Sequence, residues 1–241
     1  MMALDLTDCV LDRVALSVLE DDAHWHVFDT RYPPGAPLDV QALNPNPNSR
    51  ARFARPTAGV GMFYVARRER TVLWETVLQH ASVDAAGCVC LHPSHRTHQA
   101  VVALQRVAAM PVTCLDLRTP HRYRWVDQNT PRDQAWMASL IVLENYAPTH
   151  APAENAARQC AAAGTVLQAI VWPSRRSSED YAAVYYAPAG AAVPWTVAGT
   201  PCRLDSAEGD TRLADRLWDD GFTWVGDPAA DPDAQPIPGV L

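Results

Sequence analysis

One acidic residue lies inside an apolar pattern, where a carboxylate could do chemistry. In the stretch RTVLWETVL, Glu75 lies between Trp74 and Val77. If residues 69–81 form a helix at about 100° per residue, Leu73, Trp74 and Val77 share one face and Glu75 lies just outside it. A carboxylate at the rim of a core is half desolvated and suits acid, base or charge-stabilising roles in a cleft. The alternative is an ordinary solvated helix glutamate.

Arginine supplies all the basic side chains, since the sequence contains no lysine. Any positive site is therefore built from guanidinium groups, which bind phosphate or carboxylate through paired hydrogen bonds. Residues 50–55 hold three arginines, among them Arg52. In IVWPSRR an apolar strand ends at a proline and presents Ser174, Arg175 and Arg176, a reasonable place to hold a phosphorylated ribose. The alternatives are a solvated surface cluster and a polar hairpin loop.

The segment CVCLHPSHRTH, residues 88–98, contains two cysteines and three histidines, which are metal-binding residue types. Zinc sites use CxxC or HxxxH-type spacings on a defined turn or helix, whereas a proline here separates a CVC strand from the later histidines. We interpret the segment as a strand end followed by a polar loop. The chain also lacks GxSxG, GxGxxG and GxxxxGK[ST], which argues against serine hydrolase, Rossmann and P-loop sites.

The composition is that of a globular protein, with 48% hydrophobic and 20% charged residues. No apolar run approaches the roughly 18–20 residues that span a bilayer, and the acidic N-terminal stretch is unlike a signal peptide. We therefore expect a cytoplasmic protein with no membrane partner. A net charge of −7 and the lack of a basic block argue against direct nucleic-acid binding. The six cysteines show no CxxC spacing and are expected to be reduced.

Strand and helix patterns alternate irregularly, which favours an α+β fold over a doubly wound parallel sheet. The strand patterns cover residues 62–66, 112–117, 166–172, 182–187 and 193–198. The helical patterns cover residues 69–81, 97–109, 132–144, 152–163 and 210–220, with a weaker one at 10–20. We expect the last helix to begin at an Asp210 cap and to end before Gly221.

The order of these motifs resembles the RES domain, the toxin half of a bacterial toxin–antitoxin class named after Arg, Glu and Ser motifs. The matching pieces are LNP (43–45), ARF (51–53), FYVA (63–66), VLWET (72–76), CLDL (114–117) and IVWPSRR (170–176). Each motif is short, so the specificity of the resemblance comes from their order and spacing. The resemblance implies a single mixed domain similar to the ADP-ribosyltransferase fold, with a central split β-sheet flanked by helices.

By this resemblance, Arg52, Tyr64, Glu75 and Ser174 are the functional positions, NAD+ is the substrate, and no metal is required. Glu75 is expected to stabilise the oxocarbenium charge that develops on the ribose as nicotinamide leaves. Arg52 is expected to clamp the pyrophosphate, with Arg175 as a second substrate-binding residue. Tyr64 is expected to pack on the nicotinamide ring, and Ser174 to hydrogen-bond a ribose hydroxyl or the carboxamide. The implied partner is a helix-turn-helix antitoxin that covers the active site.

The chain departs from the family pattern at one position. The first family arginine falls in the element HWHVFD, where His26 occupies the corresponding place. Arg31 lies close by and is the candidate substitute, whereas His26 itself could hold the nicotinamide ribose. A catalytically silent homologue is a further alternative that this departure leaves open.

The expected reaction is hydrolysis or phosphorolysis of the nicotinamide–ribose bond by a type II toxin. Two alternatives are mono-ADP-ribosylation of a specific protein, such as an enzyme of nucleotide metabolism, and a silent NAD-binding or interaction domain. We expect an NAD-consuming domain over residues 1–200 and a C-terminal extension over 201–241 that packs on it and ends in a flexible tail. A homo-oligomer is compatible with the sequence, which does not determine the oligomeric state.

Overall fold

The computed structural model describes residues 16–19, 21–107, 110–119, 121–124, 129–131, 134, 135, 138, 146–175, 177, 179–188 and 191–226. The predicted C-terminal tail and most of the predicted helix over residues 132–144 therefore lie outside the described residues. So does most of the helix predicted over residues 10–20, and Ser17–Val18 within that range form a short strand. In the described ranges no helix is long and apolar enough to cross a membrane.

The described part of the chain combines strands and helices without a regular alternation, so the predicted α+β class is confirmed. Its strands are β1 Ser17–Val18, β2 Ala23–Asp29, β3 Gly61–Ala66, β4 Ser82–Val83, β5 Cys88–Cys90, β6 Gln99–Arg106, β7 Thr113–Asp116, β8 Ala169–Pro173, β9 Tyr181–Ala187, β10 Trp195–Val197, β11 Cys202–Arg203 and β12 Thr223–Gly226. Its α-helices are α1 Leu38–Gln41, α2 Glu69–Thr76, α3 His150–Ala162 and α4 Ala207–Asp219. Short 3-10 turns lie at Leu78–His80, Pro93–His95, His121–Arg124 and Ala147–Thr149.

The main sheet of the described residues has the strand order β1-β7-β8-β9-β3-β2-β6-β10, and β11 pairs with β6 beside β10. Its two halves meet between β3 and β2, where the register contains one residue pair, Trp25 with Ala66. By contrast, β2 pairs with β6 along its whole length, and β3 does the same with β9. The sheet is thus split at β2–β3, as the family resemblance implies. A smaller sheet has the order β12-β5-β4.

Successive side chains of the strands point to opposite faces and bury two hydrophobic clusters. On one face, Met62 and Ala66 of β3 pack with residues of α2, α3 and α4. On the other face, Phe63 and Val65 pack with Phe28 of β2 and with residues of β6, β9 and β10. The three longer helices therefore cover one face of the sheet, and the candidate site lies on that face.

The helix predicted over residues 97–109 is wrong, because the chain there forms strand β6. Val101 and Val102 are both buried, on opposite faces of the sheet. A strand that is apolar on both faces loses the alternation that distinguishes it from a buried helix. The adjacent β-branched residues Val101 and Val102 favour a strand and were the available signal.

Two helix boundaries also differ from the predictions. The helix expected over residues 69–81 ends its α-helical part at Thr76, and the chain continues as a 3-10 turn over Leu78–His80. The last helix begins at Ala207, and its N-cap is Ser206 rather than Asp210, since the Ser206 hydroxyl accepts a hydrogen bond from the amide of Gly209. Asp210 instead accepts a hydrogen bond from Arg96 at 2.6 Å.

Candidate active site

Glu75 lies on α2, which follows β3 after a two-residue turn. Leu73 and Trp74 are buried in the core, and this fixes the rotation of the helix about its axis. The next position in the chain therefore falls at the edge of the buried face, and Glu75 is half-buried. The strand, turn and helix predicted from the sequence are all present here.

The Glu75 carboxylate is held by the loop that joins β8 to β9. The Ser174 hydroxyl donates to Oε1 of Glu75 at 2.7 Å, and the Arg175 backbone amide donates to the same oxygen at 3.0 Å. The Ser177 amide donates to Oγ of Ser174 at 3.1 Å, so the Ser174 proton is directed toward Glu75. Ser174 is only 5% exposed, which strengthens this contact by excluding water. The loop is therefore both a polar hairpin loop and part of the carboxylate site.

A second contact ties this loop to the start of α2. The Thr71 hydroxyl donates to Oδ2 of Asp180, and both residues are buried. The backbone carbonyl of Asp180 accepts from the Ser174 amide at 2.8 Å, and its backbone amide donates to the Ser177 carbonyl at 3.0 Å. Thr71 thus anchors the closing residue of the loop on the same helix that carries Glu75, which fixes the distance between the two halves of the site.

Arg52 comes from the loop between α1 and β3, and the backbone of this loop is fastened on both sides of the arginine. The Phe53 amide donates to Thr149 Oγ1 at 2.8 Å, and the Tyr186 hydroxyl donates to the Phe53 carbonyl at 2.8 Å. Phe53 has a φ of 57°, a left-handed conformation that is uncommon for a bulky side chain and needs such support. His150 Nε2 donates to the Ala51 carbonyl at 3.1 Å. Arg52, on this fastened stretch of backbone, lines the same cleft as Glu75.

The Arg52 guanidinium is 4.8 Å from the centroid of the Tyr146 ring, a cation–π arrangement. The Tyr146 hydroxyl in turn donates to Oε1 of Gln79 at 3.0 Å. Burial lowers the pKa of the Arg52 guanidinium below its ordinary value, while Tyr146 and Glu75 act in the opposite direction. An arginine stays charged under such shifts, so Arg52 is a positive group in a partly desolvated site.

These groups surround a cleft of about 280 Å³. Its described lining consists of Arg52, Trp74, Glu75, Gln79, His80, Tyr146 and Arg175. Two guanidiniums face one carboxylate, so the cleft is locally positive although the whole chain carries a net charge of −7. Such a lining fits an anionic ligand that also has a centre of positive charge for Glu75 to meet. In the described part of the chain, no group of three or more His, Cys, Asp or Glu side chains could hold a metal ion.

Tyr64 lies behind this cleft and is not among its described lining residues. Its hydroxyl donates to the Arg52 carbonyl at 3.1 Å and accepts from the Ser49 hydroxyl at 3.3 Å. Burial raises the pKa of the Tyr64 hydroxyl, so it remains a neutral donor. In this structure Tyr64 supports the backbone of Arg52, whereas the predicted packing on a nicotinamide ring would require it to reach the cleft.

His26 lies on β2, on the face of the sheet opposite α2. Its ring stacks on Phe28 and Phe63, and Nδ1 hydrogen-bonds the Tyr64 carbonyl. Burial lowers the pKa of His26 to about 4, so the imidazole is neutral near pH 7 and Nδ1 donates its proton to the carbonyl. The structure therefore does not bring His26 into the cleft, and a histidine here supports the strand that carries Tyr64.

Arg31 is also outside the described lining of the cleft. It lies in the turn after β2, where its guanidinium forms a paired contact with the carboxylate of Asp29. Its side chain is 56% exposed. Of the seven predicted site residues, the structure brings together Arg52, Glu75, Ser174 and Arg175, and leaves Tyr64, His26 and Arg31 at other places.

Four residues of the cleft were absent from the sequence prediction: Trp74, Gln79, His80 and Tyr146. Trp74 and Gln79 lie one and four residues from Glu75, so helix geometry alone could have assigned them to the same rim. Tyr146 lies 71 positions beyond Glu75, outside any recognised motif. No local sequence signal marks it; in the structure the nearby Thr149 is buried and accepts a hydrogen bond from the Phe53 amide beside Arg52.

Comparison with known proteins gives a family and similar solved structures. The family model described as "RES domain" matches residues 23–205, which is more than half of the chain. A chain from the crystal structure of the M. tuberculosis MbcT–MbcA toxin–antitoxin complex is similar at 13% sequence identity and a TM-score of 0.49. The similarity covers 82% of this chain and 92% of that chain. No curated protein matches the sequence.

Proposed function

The chain belongs to the RES domain family, and on that premise we propose that it is a toxin that cleaves the nicotinamide–ribose bond of NAD+. The observation that carries the proposal is the Glu75 carboxylate, fixed by Ser174 and the Arg175 amide in a cleft with two guanidiniums. The acceptor of the ADP-ribosyl group is proposed to be water or phosphate. The site of action is proposed to be the cytoplasm, where NAD+ is abundant.

The proposed role of Glu75 follows from the charge that moves during the reaction. In NAD+ the positive charge is on the nicotinamide ring, and as the glycosidic bond breaks it shifts to the ribose as an oxocarbenium ion. A carboxylate already held in place stabilises that developing charge without reorganising at the moment of reaction. Both described hydrogen bonds to Glu75 go to Oε1, which leaves Oε2 to meet the ribose.

Arg52 and Arg175 supply the positive charge and the hydrogen-bond donors that a pyrophosphate requires. Each phosphate of a dinucleotide carries one negative charge, and guanidinium groups bind such oxygens through paired, charge-assisted hydrogen bonds. The Tyr146 ring supports the Arg52 guanidinium from one side and so limits the rotamers open to it. The ligand is then held at its anionic centre while its glycosidic bond lies near Glu75.

The size of the cleft suits one end of NAD+ rather than the whole molecule. Sites that enclose small ligands have volumes of roughly 300–1,000 Å³, and this cleft, at about 280 Å³, is just below that range. We therefore propose that the nicotinamide riboside end enters the cleft and that the adenosine end lies outside it. A helix-turn-helix antitoxin that covers this opening is the proposed protein partner, as the family resemblance implies.

The experiment is nicotinamide release from NAD+ by the purified protein and by two glutamine variants. Glu75→Gln keeps an oxygen that can accept from Ser174 and Arg175 but removes the charge, so kcat should fall about 10²- to 10³-fold. Glu179→Gln, at an exposed position in the same loop, makes the same chemical change away from the cleft and should leave the rate unchanged. Failure of the unmodified protein to release nicotinamide, or full activity of Glu75→Gln, would overturn the proposal.

A further inference from the structure

The segment that follows the matched family region is packed against the helix that carries Glu75. The family model ends at residue 205, and α4 begins at Ala207. Leu213 and Leu217 of α4 are fully buried in the same hydrophobic cluster as Leu73 and Trp74 of α2. At the first turn of α2, the buried Glu69 carboxylate binds two arginines of α4, Arg212 and Arg216.

A second polar contact between α4 and α2 is made by one carboxylate, Asp220, at the end of α4. Its Oδ2 accepts from the Trp74 indole Nε1 at 3.0 Å, and its Oδ1 accepts from Arg70 at 3.1 Å. Arg70 and Trp74 are four residues apart, so their side chains lie one above the other on the same side of α2. Asp220 thereby fastens two successive turns of the helix, and Trp74 is both a wall of the cleft and the immediate neighbour of Glu75.

The end of α4 is shaped to make this contact. The Gly221 amide donates to the Trp218 carbonyl and the Phe222 amide to the Leu217 carbonyl, the two hydrogen bonds of a Schellman motif. Gly221 has a φ of 82°, which a glycine adopts without steric cost. The chain then turns back, and the Phe222 ring meets the Trp74 ring edge-on at 5.7 Å between centroids. Asp220 and Phe222 thus hold the same indole.

The charge of Asp220 is opposite to what helix stability alone would favour. The C-terminal end of a helix carries partial negative charge, so an acidic residue there is unfavourable and a basic one is favoured. The partners of Asp220 on α2 offset this local cost, which indicates that the carboxylate serves the contact with α2 and not the helix to which it belongs.

We propose that Asp220 is a positioning residue for the cleft, which it serves by fixing the orientation of the Trp74 indole. This inference rests on the proposed function, because the cleft matters only if NAD+ binds there. It extends that function to a segment outside the matched family region. Loss of the contact leaves the Ser174–Glu75 pair in place but lets one wall of the cleft move. The consequence is weaker binding of NAD+ with little change in the chemical step.

The kinetic experiment compares Asp220→Ala with a matched control on the same helix, Asp215→Ala, which removes an exposed carboxylate. Asp220→Ala removes the hydrogen bonds from both Trp74 and Arg70, and through the loss of the indole contact it should raise KM for NAD+ about tenfold at nearly constant kcat. Asp215→Ala should leave both constants unchanged. Asp220→Asn keeps an oxygen for the indole N–H and should restore most of the affinity. An unchanged KM, or a fall in kcat alone as from partial unfolding, would overturn the proposal.

A double-mutant cycle tests whether Asp220 acts through Trp74. Trp74→Phe removes the indole N–H, so adding Asp220→Ala to it should raise KM no further. If the two effects on KM multiply instead, Asp220 does not act through the indole and the proposal fails.

A readout that needs no NAD+ separates this inference from the proposed function. The indole N–H resonance of Trp74 can be assigned in a ¹H–¹⁵N spectrum by its loss in Trp74→Phe. It should shift and exchange faster with solvent in Asp220→Ala, and not in Asp215→Ala. An unchanged resonance would refute the role of Asp220, whereas a shifted resonance in a protein that leaves NAD+ intact would refute only the proposed function.

Discussion

The contact between Thr71 and Asp180 gives the sharpest test of how the site is held together. Thr71→Val replaces the hydroxyl of this fully buried residue with a methyl group of similar size, so the main change is the loss of the hydrogen-bond donor. Oδ2 of Asp180 then loses its donor, while Oδ1 keeps the Tyr181 amide at 2.8 Å. A buried charged group that loses one partner costs about 1.5–3 kcal/mol, and we expect the free energy of unfolding to fall by that amount.

The same change should slow the proposed reaction. The Asp180 carbonyl accepts from the Ser174 amide. If Asp180 is held less firmly, the loop becomes more mobile and the hydrogen bond from Ser174 to Glu75 is weakened. We expect kcat for NAD+ cleavage to fall about tenfold, which corresponds to about 1.4 kcal/mol in the activation barrier. The assays are urea unfolding followed by circular dichroism, and NAD+ turnover at a temperature where the variant is fully folded.

Thr71→Ser is the matched control, since it keeps the hydroxyl and loses one buried methyl group. It should cost about 1 kcal/mol in stability and leave kcat near that of the unmodified protein. If Thr71→Val matches the unmodified protein in both assays, the contact does not hold the loop. If Thr71→Ser loses as much kcat as Thr71→Val, packing rather than the hydrogen bond positions Ser174.

Three further predictions concern the other groups around the site. Ser174→Ala should lower kcat about tenfold at little change in KM, because the cleft carboxylate loses the hydroxyl that orients it, and an unchanged kcat would contradict this. Arg52→Lys should raise KM about tenfold, because an ammonium lacks both the planar face that meets Tyr146 and the paired donors, and wild-type KM would refute it. Stability should fall as the pH is lowered from about 6.5 to 4. In this range His26 stays neutral in the folded protein, where burial lowers its pKa to about 4, whereas it becomes protonated in the unfolded chain. His26→Asn keeps an N–H donor for the Tyr64 carbonyl but cannot titrate. Between pH 6.5 and pH 4 its free energy of unfolding, measured in urea, should therefore fall by roughly 3 kcal/mol less than that of the unmodified protein. An equal fall in both proteins would contradict this prediction.

The part of the site that lies in short, ordered motifs was predictable from the sequence. Glu75 follows its strand by a fixed turn, and Ser174 follows an apolar strand that ends at a proline, so each position depends on local structure. Arg52 was named by its motif, but the left-handed backbone of the next residue, Phe53, is supported by the distant Thr149 and Tyr186, and nothing in the local sequence requires it.

The remainder depends on contacts between distant segments, which periodicity does not encode. Tyr146 reaches the cleft through its contact with Gln79, 67 positions away in the chain. Arg212 meets Glu69 across 143 positions, and Asp220 meets Trp74 across 146. The strand β6 was misassigned for a related reason, since its burial on both faces is decided by the two hydrophobic clusters that pack against those faces and not by its own sequence.

Product analysis of labelled NAD+ incubated with the purified, antitoxin-free protein, with and without phosphate, identifies both the bond that is cleaved and the acceptor. We expect free nicotinamide together with ADP-ribose, or with its phosphate adduct when phosphate is the acceptor, and loss of these products in Glu75→Gln. A discrete labelled protein band formed in cell lysate, with no free product, would show that the acceptor is a protein. Intact NAD+ under all of these conditions would contradict the claim that the cleft around Glu75 cleaves the nicotinamide–ribose bond.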